Sequence, residues 1–167
     1  AGISWDSNIL AIKAFDAEGN GDAGTIARAI RYAASQGAKI INVSAETKDG
    51  RLKICAAVRY ALRRESVVVA AAGNKAGQGE VYPSACKEAV TVGNTDSYSN
   101  NGTWVDLAAP GGQTYSTVPI KPEEPTRLYH PSGYLSDLGT SYSAPMVSGA
   151  IAMVMAREPK FSAKEAF

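Results

Sequence analysis

The sequence predicts a single α/β domain built on a mostly parallel sheet. Short apolar runs bounded by turn residues alternate along the chain with segments of helical periodicity, which is the pattern of βαβ units. The apolar runs are continuous rather than alternating, as expected for strands that are buried on both faces. A chain of 167 residues with 45% hydrophobic residues is long enough to build one hydrophobic core.

The first half of the chain predicts two strands, each followed by a helix. The run "ILAIKAF" at 9–15 ends in a turn-rich loop that leads to a helix over 24–36, which Gly37 terminates. The run "AKIINVSA" at 38–45 predicts the second strand. The amphipathic segment 50–65 predicts the second helix, because basic residues in its last turn complement the helix dipole.

The second half predicts three more strands and one long helix. The segment 66–74 indicates a buried strand that opens into a Gly-Asn loop, and 88–94 and 103–112 predict two further strands. Segment 113–137 is expected to be a loop or loose hairpin, because it contains four prolines. A helix rich in small residues follows over 141–157, with Thr140 as its expected N-cap.

The C-terminal end favours a chain that is part of a longer protein. Pro159 stops the preceding helix, and Ser162-Ala-Lys-Glu165 has the capping-box pattern that marks a helix start. The sequence ends two residues after Glu165, so too few residues follow the capping box to form the helix that it predicts. A frayed tail is the alternative interpretation.

Charge and cysteine content exclude several classes of function. The 17 basic and 16 acidic residues leave a net charge of +1 without a basic cluster, which argues against nucleic-acid and membrane-surface partners. No apolar stretch approaches a transmembrane helix, and the first residues have no signal-peptide pattern. Cys55 and Cys86 match neither metal-ligand spacing nor a dense disulfide scaffold, so two free thiols are favoured over one disulfide.

Ser141 is the candidate nucleophile from its position alone. A serine hydroxyl needs a neighbouring base and donors aimed at the oxyanion, and a first-turn position offers backbone N–H groups and the positive end of the helix dipole. The alternative is that Thr140 and Ser141 only cap a buried helix. Spacing by itself favours that alternative.

Six segments resemble the subtilisin-like serine proteases. "GTSYSAPMVSG" at 139–149 resembles the nucleophile motif of that family, and "VVVAAAGN" at 67–74 resembles the strand and loop of its oxyanion asparagine. "AKIINVSA" at 38–45 resembles the strand that ends in its substrate-binding segment. The segments at 9–22, 81–96 and 104–112 also match, all in family order. The resemblance implies a three-layer subtilisin-like fold and identifies residues 1–167 as a single partial domain, the C-terminal portion of the catalytic domain.

The same resemblance assigns the catalytic roles. Ser141 would be acylated, and the side chain of Asn74 would donate to the oxyanion beside the backbone N–H of Ser141. Without Ser141, an asparagine after a glycine would be interpreted as an ordinary turn residue. No cofactor is required, although structural calcium is possible in this family.

The resemblance also implies that the substrate is an extended peptide. The peptide would be held as an added strand between Gly19-Asn20-Gly21 and Ser44-Ala45-Glu46. Ala23, Ile26 and Ala45 would line a pocket upstream of the cut, while Ala71, Ala72 and Gly73, with Val81 near the floor, would shape the pocket next to it. The family usually has Ser-Leu-Gly-Gly where this chain has Ser44-Ala45-Glu46-Thr47.

The catalytic Asp and His of the family have no counterpart in the sequence. It contains no Asp-Thr-Gly, Asp-Ser-Gly or His-Gly-Thr, and its one histidine, His130, lies in the proline-rich segment, where it is interpreted as a loop residue. Asp16 and Asp106 are interpreted as turn or strand-end carboxylates. The chain is therefore expected to be inactive alone and to need a segment that carries Asp and His.

Two functions remain open on these residues. The first is a serine endopeptidase of which this chain is the nucleophile-bearing part, and the second is a subtilase-like module that binds a peptide or protein without cutting it. Either would leave a sheet edge exposed, which predicts self-association. The resemblance implies a secreted or extracytoplasmic location, which no feature of the sequence itself indicates.

Overall fold

The structure, a computed structural model, describes residues 2–77, 79–120 and 130–166. Its centre is a sheet of four parallel strands, which lie side by side in the order of the chain. Ile41 is paired with Val68, and Val69 with Val90. The strands are β1 (Ile40–Val43), β2 (Val67–Ala71), β3 (Ala89–Asn94) and β4 (Leu107–Ala109).

Two helices of 13 residues each, one before β1 in the sequence and one after it, pack against each other. The first, α1 (Ala23–Ser35), begins at Asp22, whose Oδ1 accepts hydrogen bonds from the N–H groups of Gly24 and Thr25. The second, α2 (Arg51–Arg63), begins after Gly50, which has a φ of 73°. A Cβ on Gly50 would overlap the Ala23 side chain, so the close approach of the two helix starts requires glycine there.

The sheet is covered by helices on both faces. Ile30 of α1 and Ile54 of α2 share one buried cluster with Val68. On the other face Val69 packs with Val147 of α3 (Thr140–Arg157). Because successive strand residues point to opposite faces, neighbouring valines of β2 enter different cores. This arrangement of helix, sheet and helix confirms the predicted α/β fold with three layers.

The predicted strand at 9–15 is wrong, because these residues are not in a strand. A strand requires a partner for its backbone groups, and in the described part of the chain no segment pairs with 9–15. Ile12 and Phe15 nevertheless pack against the core under α1 and α2, which accounts for the apolar pattern. Of the strand predicted at 103–112, only the three residues of β4 are in a strand.

The predicted loop or loose hairpin at 113–137 is a hairpin in its described parts. The strands β5 (Thr114–Thr117) and β6 (Tyr134–Asp137) pair antiparallel, and the rings of Tyr115 and Tyr134 stack with centroids 5.3 Å apart. The hairpin thus returns the chain to the start of α3. Residues 121–129, with Pro122 and Pro125, lie outside the described residues.

The predicted capping box near the C-terminus forms and begins a single helical turn. The N–H and Oγ of Ser162 both donate to Glu165 Oε2, at 2.7 and 2.8 Å, and Ala163–Ala166 form a 3-10 helix. Across the described ranges, no helix has the length and apolar character that crossing a membrane requires.

The preference for two free thiols is wrong. Cys55 of α2 and Cys86, in the loop between β2 and β3, form a disulfide across 31 residues, with their Cα atoms 5.2 Å apart. Packing of α2 against the sheet brings these distant positions together, and the spacing of two cysteines in a sequence does not reveal such a contact. The disulfide lies within the core shared by α1 and α2.

Candidate active site

Ser141 lies in the first turn of α3 and is partly exposed. The helix begins after Gly139, whose φ of 143° is accessible to glycine, and the Gly139 N–H donates to the carbonyl of Gly111 at 2.8 Å. First-turn N–H groups such as that of Ser141 have no acceptor within the helix. The position therefore suits an oxygen that becomes negatively charged.

Thr140 joins the start of α3 to the loop that carries Asn74. Its N–H and its hydroxyl donate to Asn74 Oδ1 at 2.8 and 2.9 Å, and its Oγ1 accepts from the Gly73 N–H at 3.1 Å. Thr140 is fully buried. Its prediction as N-cap is wrong: Gly139 takes that place, because the Thr140 hydroxyl bonds to another loop instead of its own helix.

These hydrogen bonds orient the amide of Asn74. Because Oδ1 faces Thr140, the Nδ2 group must lie on the other side of the amide. Nδ2 is 3.2 Å from the place that a Cβ on Gly139 would take, so it lies at the start of α3. The Asn74 Nδ2 and the Ser141 N–H are thus two donors available to an oxyanion at the start of α3.

Asn100 supports the loop that presents Asn74. Its Nδ2 donates to the carbonyl of Ala72 at 2.9 Å and its Oδ1 accepts from the Lys75 N–H at 3.0 Å, while its own N–H donates to the carbonyl of Gly73 at 2.9 Å. Asn100 is buried. These three bonds on both sides of Asn74 fix the backbone that carries the amide.

Ser44 connects the predicted substrate segment to the candidate nucleophile. Its hydroxyl donates to the carbonyl of Ser141 at 2.9 Å and accepts from Asn42 Nδ2 at 3.0 Å. Asn42 Oδ1 in turn accepts from the hydroxyl of Ser148 in α3, also at 3.0 Å. This chain of hydrogen bonds fixes the end of β1 against the first two turns of α3.

The residues predicted to shape the pocket next to the cut lie at the end of β2 and beside the segment that follows β1. Ala71, Ala72 and Gly73 continue from β2 and are buried, as is Val81. Thr47 and Tyr82 exchange backbone hydrogen bonds of 3.0 and 2.8 Å, which brings the segment after Ser44 beside Val81. The Glu46 carboxylate lies against Gly73, where a Cβ would overlap it.

The other predicted substrate residues lie around the start of α1. Asp16 holds the turn: its Oδ1 accepts from the Asn20 N–H at 2.7 Å, and its N–H donates to the Asn20 carbonyl at 2.9 Å. Gly19 and Gly21 flank Asn20 on this exposed turn. Of the predicted upstream pocket, Ala23 and Ala45 are partly exposed, whereas Ile26 is only 3% exposed and belongs to the core.

No general base is placed beside Ser141 by the described residues. Nδ1 of His130 is 2.7 Å from the hydroxyl of Ser132, within the turn of the β5–β6 hairpin. Asp16 bonds its own turn, and Asp106 Oδ2 accepts from the Thr91 N–H at 2.7 Å beside β3. These three side chains therefore serve the local contacts expected of loop and strand-end residues.

Two acidic side chains near the pocket differ in their environment. Glu80 accepts from the hydroxyl of Tyr82 at 3.0 Å, and burial together with this carboxylate raises the pKa of Tyr82, which keeps the phenol neutral. Glu46 accepts no hydrogen bond from a described residue. In the described ranges no three His, Cys, Asp or Glu side chains come together as a metal site, so structural calcium stays a prediction.

Sequence reasoning missed the residues that position the site. Asn42 and Asn100 contact it through side chains, and Thr140, expected to cap its own helix, bonds the loop of Gly73 and Asn74 instead. The asparagines follow the patterns of an ordinary strand and turn, and their partners lie far away along the chain. Within a single sequence, only the resemblance could have drawn attention to them.

Comparison with known proteins gives a consistent result over the whole chain. The model of the subtilase family matches residues 1–166. Thermitase of Thermoactinomyces vulgaris is 39% identical over 155 residues, which cover 89% of this chain and 52% of thermitase. Subtilisin Savinase of Lederbergia lenta is 32% identical, over 96% of this chain and 58% of the relative.

Solved structures agree with the sequence relatives. A cold-adapted subtilisin-like serine proteinase superposes with a TM-score of 0.85 and 25% identity, over 99% of this chain and 59% of the other. A lanthipeptide protease superposes with a TM-score of 0.79 and 28% identity, over 92% and 59% of the two chains. The chain thus spans about half the length of the relatives it matches. By its sequence and its fold, it belongs to the subtilase family of serine proteases.

Proposed function

We propose that this chain is the nucleophile-bearing part of a subtilisin-type serine endopeptidase. The observation that carries the proposal is the orientation of the Asn74 amide, whose Oδ1 is held by Thr140. Its Nδ2 thereby lies beside Gly139, at the start of the helix that carries Ser141. Attack by the Ser141 hydroxyl on a peptide carbonyl would place the developing negative charge between Asn74 Nδ2 and the Ser141 N–H.

The substrate in this proposal is an extended peptide. The segment Ser44-Ala45-Glu46 follows β1 and is bonded to Ser141 through the Ser44 hydroxyl, and Gly19-Asn20-Gly21 forms an exposed turn. A peptide that lies between two such segments gains backbone hydrogen bonds as an added strand. Support for this step comes from the direct contact of Ser44 with Ser141.

The proposal requires a base and an acid from outside these residues. The single histidine of the sequence bonds Ser132 in the hairpin, so Ser141 lacks the imidazole that would take its proton. A second segment that carries Asp and His, from the same protease, would complete the site. The chain alone is then expected to cleave no peptide.

Fluorophosphonate labelling tests the proposal. Ser141 should stay unlabelled in the isolated chain, because an unactivated hydroxyl reacts slowly, and should be labelled once a segment with Asp-Thr-Gly-like and His-Gly-Thr-like motifs is supplied from the same coding sequence. Ser141→Ala should abolish the restored labelling. Stoichiometric labelling of Ser141 in the isolated chain would contradict the proposal that this chain lacks the general base.

The competing function is a module that binds peptides or proteins without cutting them. The lack of a base beside Ser141 within the described residues is the observation in its favour. A coding sequence without the Asp and His motifs, combined with peptide binding and no labelling in any mixture, would establish this alternative over the endopeptidase.

A further inference from the structure

The carboxylate of Glu46 lies against Gly73, the residue that precedes Asn74. Gly73 has a φ of 101°, and a Cβ on it would overlap both Glu46 Oε2 and Asn100 Nδ2. The carboxylate oxygen therefore lies directly over the Gly73 backbone, where the pocket next to the cut is predicted. Through Thr140, this pocket adjoins Ser141.

The carboxylate of Glu46 has no cationic partner in the described part of the chain. The ion pair found there joins Arg59 to Glu88, on α2 and the loop before β3. Lys75, two residues after Gly73, does not come within salt-bridge distance of Glu46. Glu46 is an exposed side chain whose charge is balanced by solvent alone until another molecule covers it.

The remaining lining of the pocket is apolar or backbone. Ala71, Ala72 and Val81 are buried and carry no charge, and Glu80 is already bonded to the Tyr82 hydroxyl. A neutral substrate side chain in this pocket would remove water from the Glu46 carboxylate without replacing its interactions, which is unfavourable. A guanidinium or ammonium group would replace them with a charge-assisted hydrogen bond.

We propose that Glu46 makes the pocket beside Ser141 select a basic side chain, lysine or arginine, at the residue before the scissile bond. This inference rests on the proposed function, because it takes the peptide to lie along Ser44-Ala45-Glu46 with the side chain before the cut directed toward Gly73. It adds the substrate class: peptides with a cation next to the cut. An arginine fits especially well, since its planar guanidinium can pair with both carboxylate oxygens.

Peptide binding to the 167-residue chain tests the assignment. Three fluorescein-labelled hexapeptides, identical except for arginine, norleucine or glutamate at the position before the scissile bond, are titrated with the chain, and anisotropy is measured at low and high salt. The arginine peptide should bind at least about fivefold more tightly than the norleucine peptide, and added salt should shrink the difference.

Substitutions distinguish the effect of Glu46 on peptide binding from the effect of the overall negative charge of its loop. Glu46→Gln should reduce the arginine preference to less than about twofold, and Glu46→Lys should shift it toward the glutamate peptide. Asp49→Asn is the matched control, because it removes one negative charge from the same exposed loop without touching Gly73. This control should keep the arginine preference.

The outcomes distinguish this inference from the proposed function. Equal binding of the arginine and norleucine peptides, or an arginine preference that survives Glu46→Gln, overturns the role of Glu46 and leaves the protease proposal standing. Failure of all three peptides to bind overturns the inference together with the peptide cleft, whereas Ser141 labelling in the completed enzyme still decides the protease proposal.

Discussion

At the residue scale, the buried Thr140 orients the amide of the exposed Asn74. Thr140 is fully buried and makes three hydrogen bonds to the loop of Gly73 and Asn74. Each bond satisfies a group that has no access to water, so removal of one partner leaves a buried polar atom unpaired. The exposed Nδ2 of Asn74 owes its orientation to these interior bonds.

Thr140→Val should destabilise the chain because it removes the hydroxyl and keeps the volume. The Gly73 N–H then loses its acceptor and Asn74 Oδ1 loses one donor, which should lower the free energy of unfolding by about 1–3 kcal/mol. Thr140→Ser, which keeps the hydroxyl, is the control and should stay closer to the wild type. Urea unfolding followed by circular dichroism measures both, and equal stability of the valine and serine variants would contradict the hydrogen-bond role.

At the element scale, the helices and strands differ in how far they can be predicted. The helices α1 and α2 begin and end within about two residues of the prediction, because periodicity and termination signals are local. The segment 9–15 has the composition of a strand but no partner in the described residues, and pairing is not a local property. The Cys55–Cys86 disulfide and the contacts of Asn100 depend on packing in the same way.

The candidate site follows the same division. Ser141 and Asn74 could be proposed as site residues because each lies in a short motif that the family shares. The position of the Glu46 carboxylate over Gly73 joins two loops that are distant in sequence, and no motif describes it. Side-chain placement at this site is decided by the meeting of strand ends, which only the folded chain shows.

The N-cap of α1 should make stability depend on pH. Hydrogen bonds from the Thr25 hydroxyl and from the backbone N–H groups of Thr25 and Gly24 lower the pKa of Asp22 from its usual value of 3.8. The folded state thus favours the charged carboxylate. Its contribution is complete above about pH 3.8 and is lost as the pH falls through the lower folded pKa.

Asp22→Asn tests this dependence, because asparagine keeps a capping oxygen that does not titrate. Urea unfolding is measured for wild type and variant from neutral pH into the acid range. The wild type should lose more stability than the variant as the pH falls below the usual aspartate pKa. Parallel pH profiles of the two proteins would show that the charge of Asp22 contributes nothing.

The disulfide between α2 and the loop before β3 should contribute substantially to stability. It closes a long stretch of chain, with a sequence separation of 31 residues, and cross-links of this kind stabilise domains by about 2–4 kcal/mol. The double variant Cys55→Ser, Cys86→Ser should lose that amount of unfolding free energy and therefore unfold at a lower urea concentration. The wild type should approach it in reductant, while the double variant itself should not respond to reductant.

At the scale of the whole molecule, the sheet ends in an edge strand at β1. In the described residues β1 pairs with β2 alone, so its outer edge has backbone groups without strand partners. The N-terminal segment exposes apolar side chains, with Ile9 89% and Trp5 82% accessible. An unpaired edge and exposed apolar residues are features that soluble proteins normally cover, which favours association with another chain.

The isolated chain should therefore self-associate, and its sedimentation coefficient should rise with concentration. Ile9→Lys should weaken the association, because it introduces a charge into the exposed N-terminal segment. Leu52→Lys is the control, since Leu52 is 82% exposed on α2 and far along the chain from that segment. A monomer at every concentration would contradict the prediction, and equal weakening by both variants would place the contact elsewhere. If the segment with Asp and His occupies the same side of the sheet, its addition should replace self-association with a one-to-one complex.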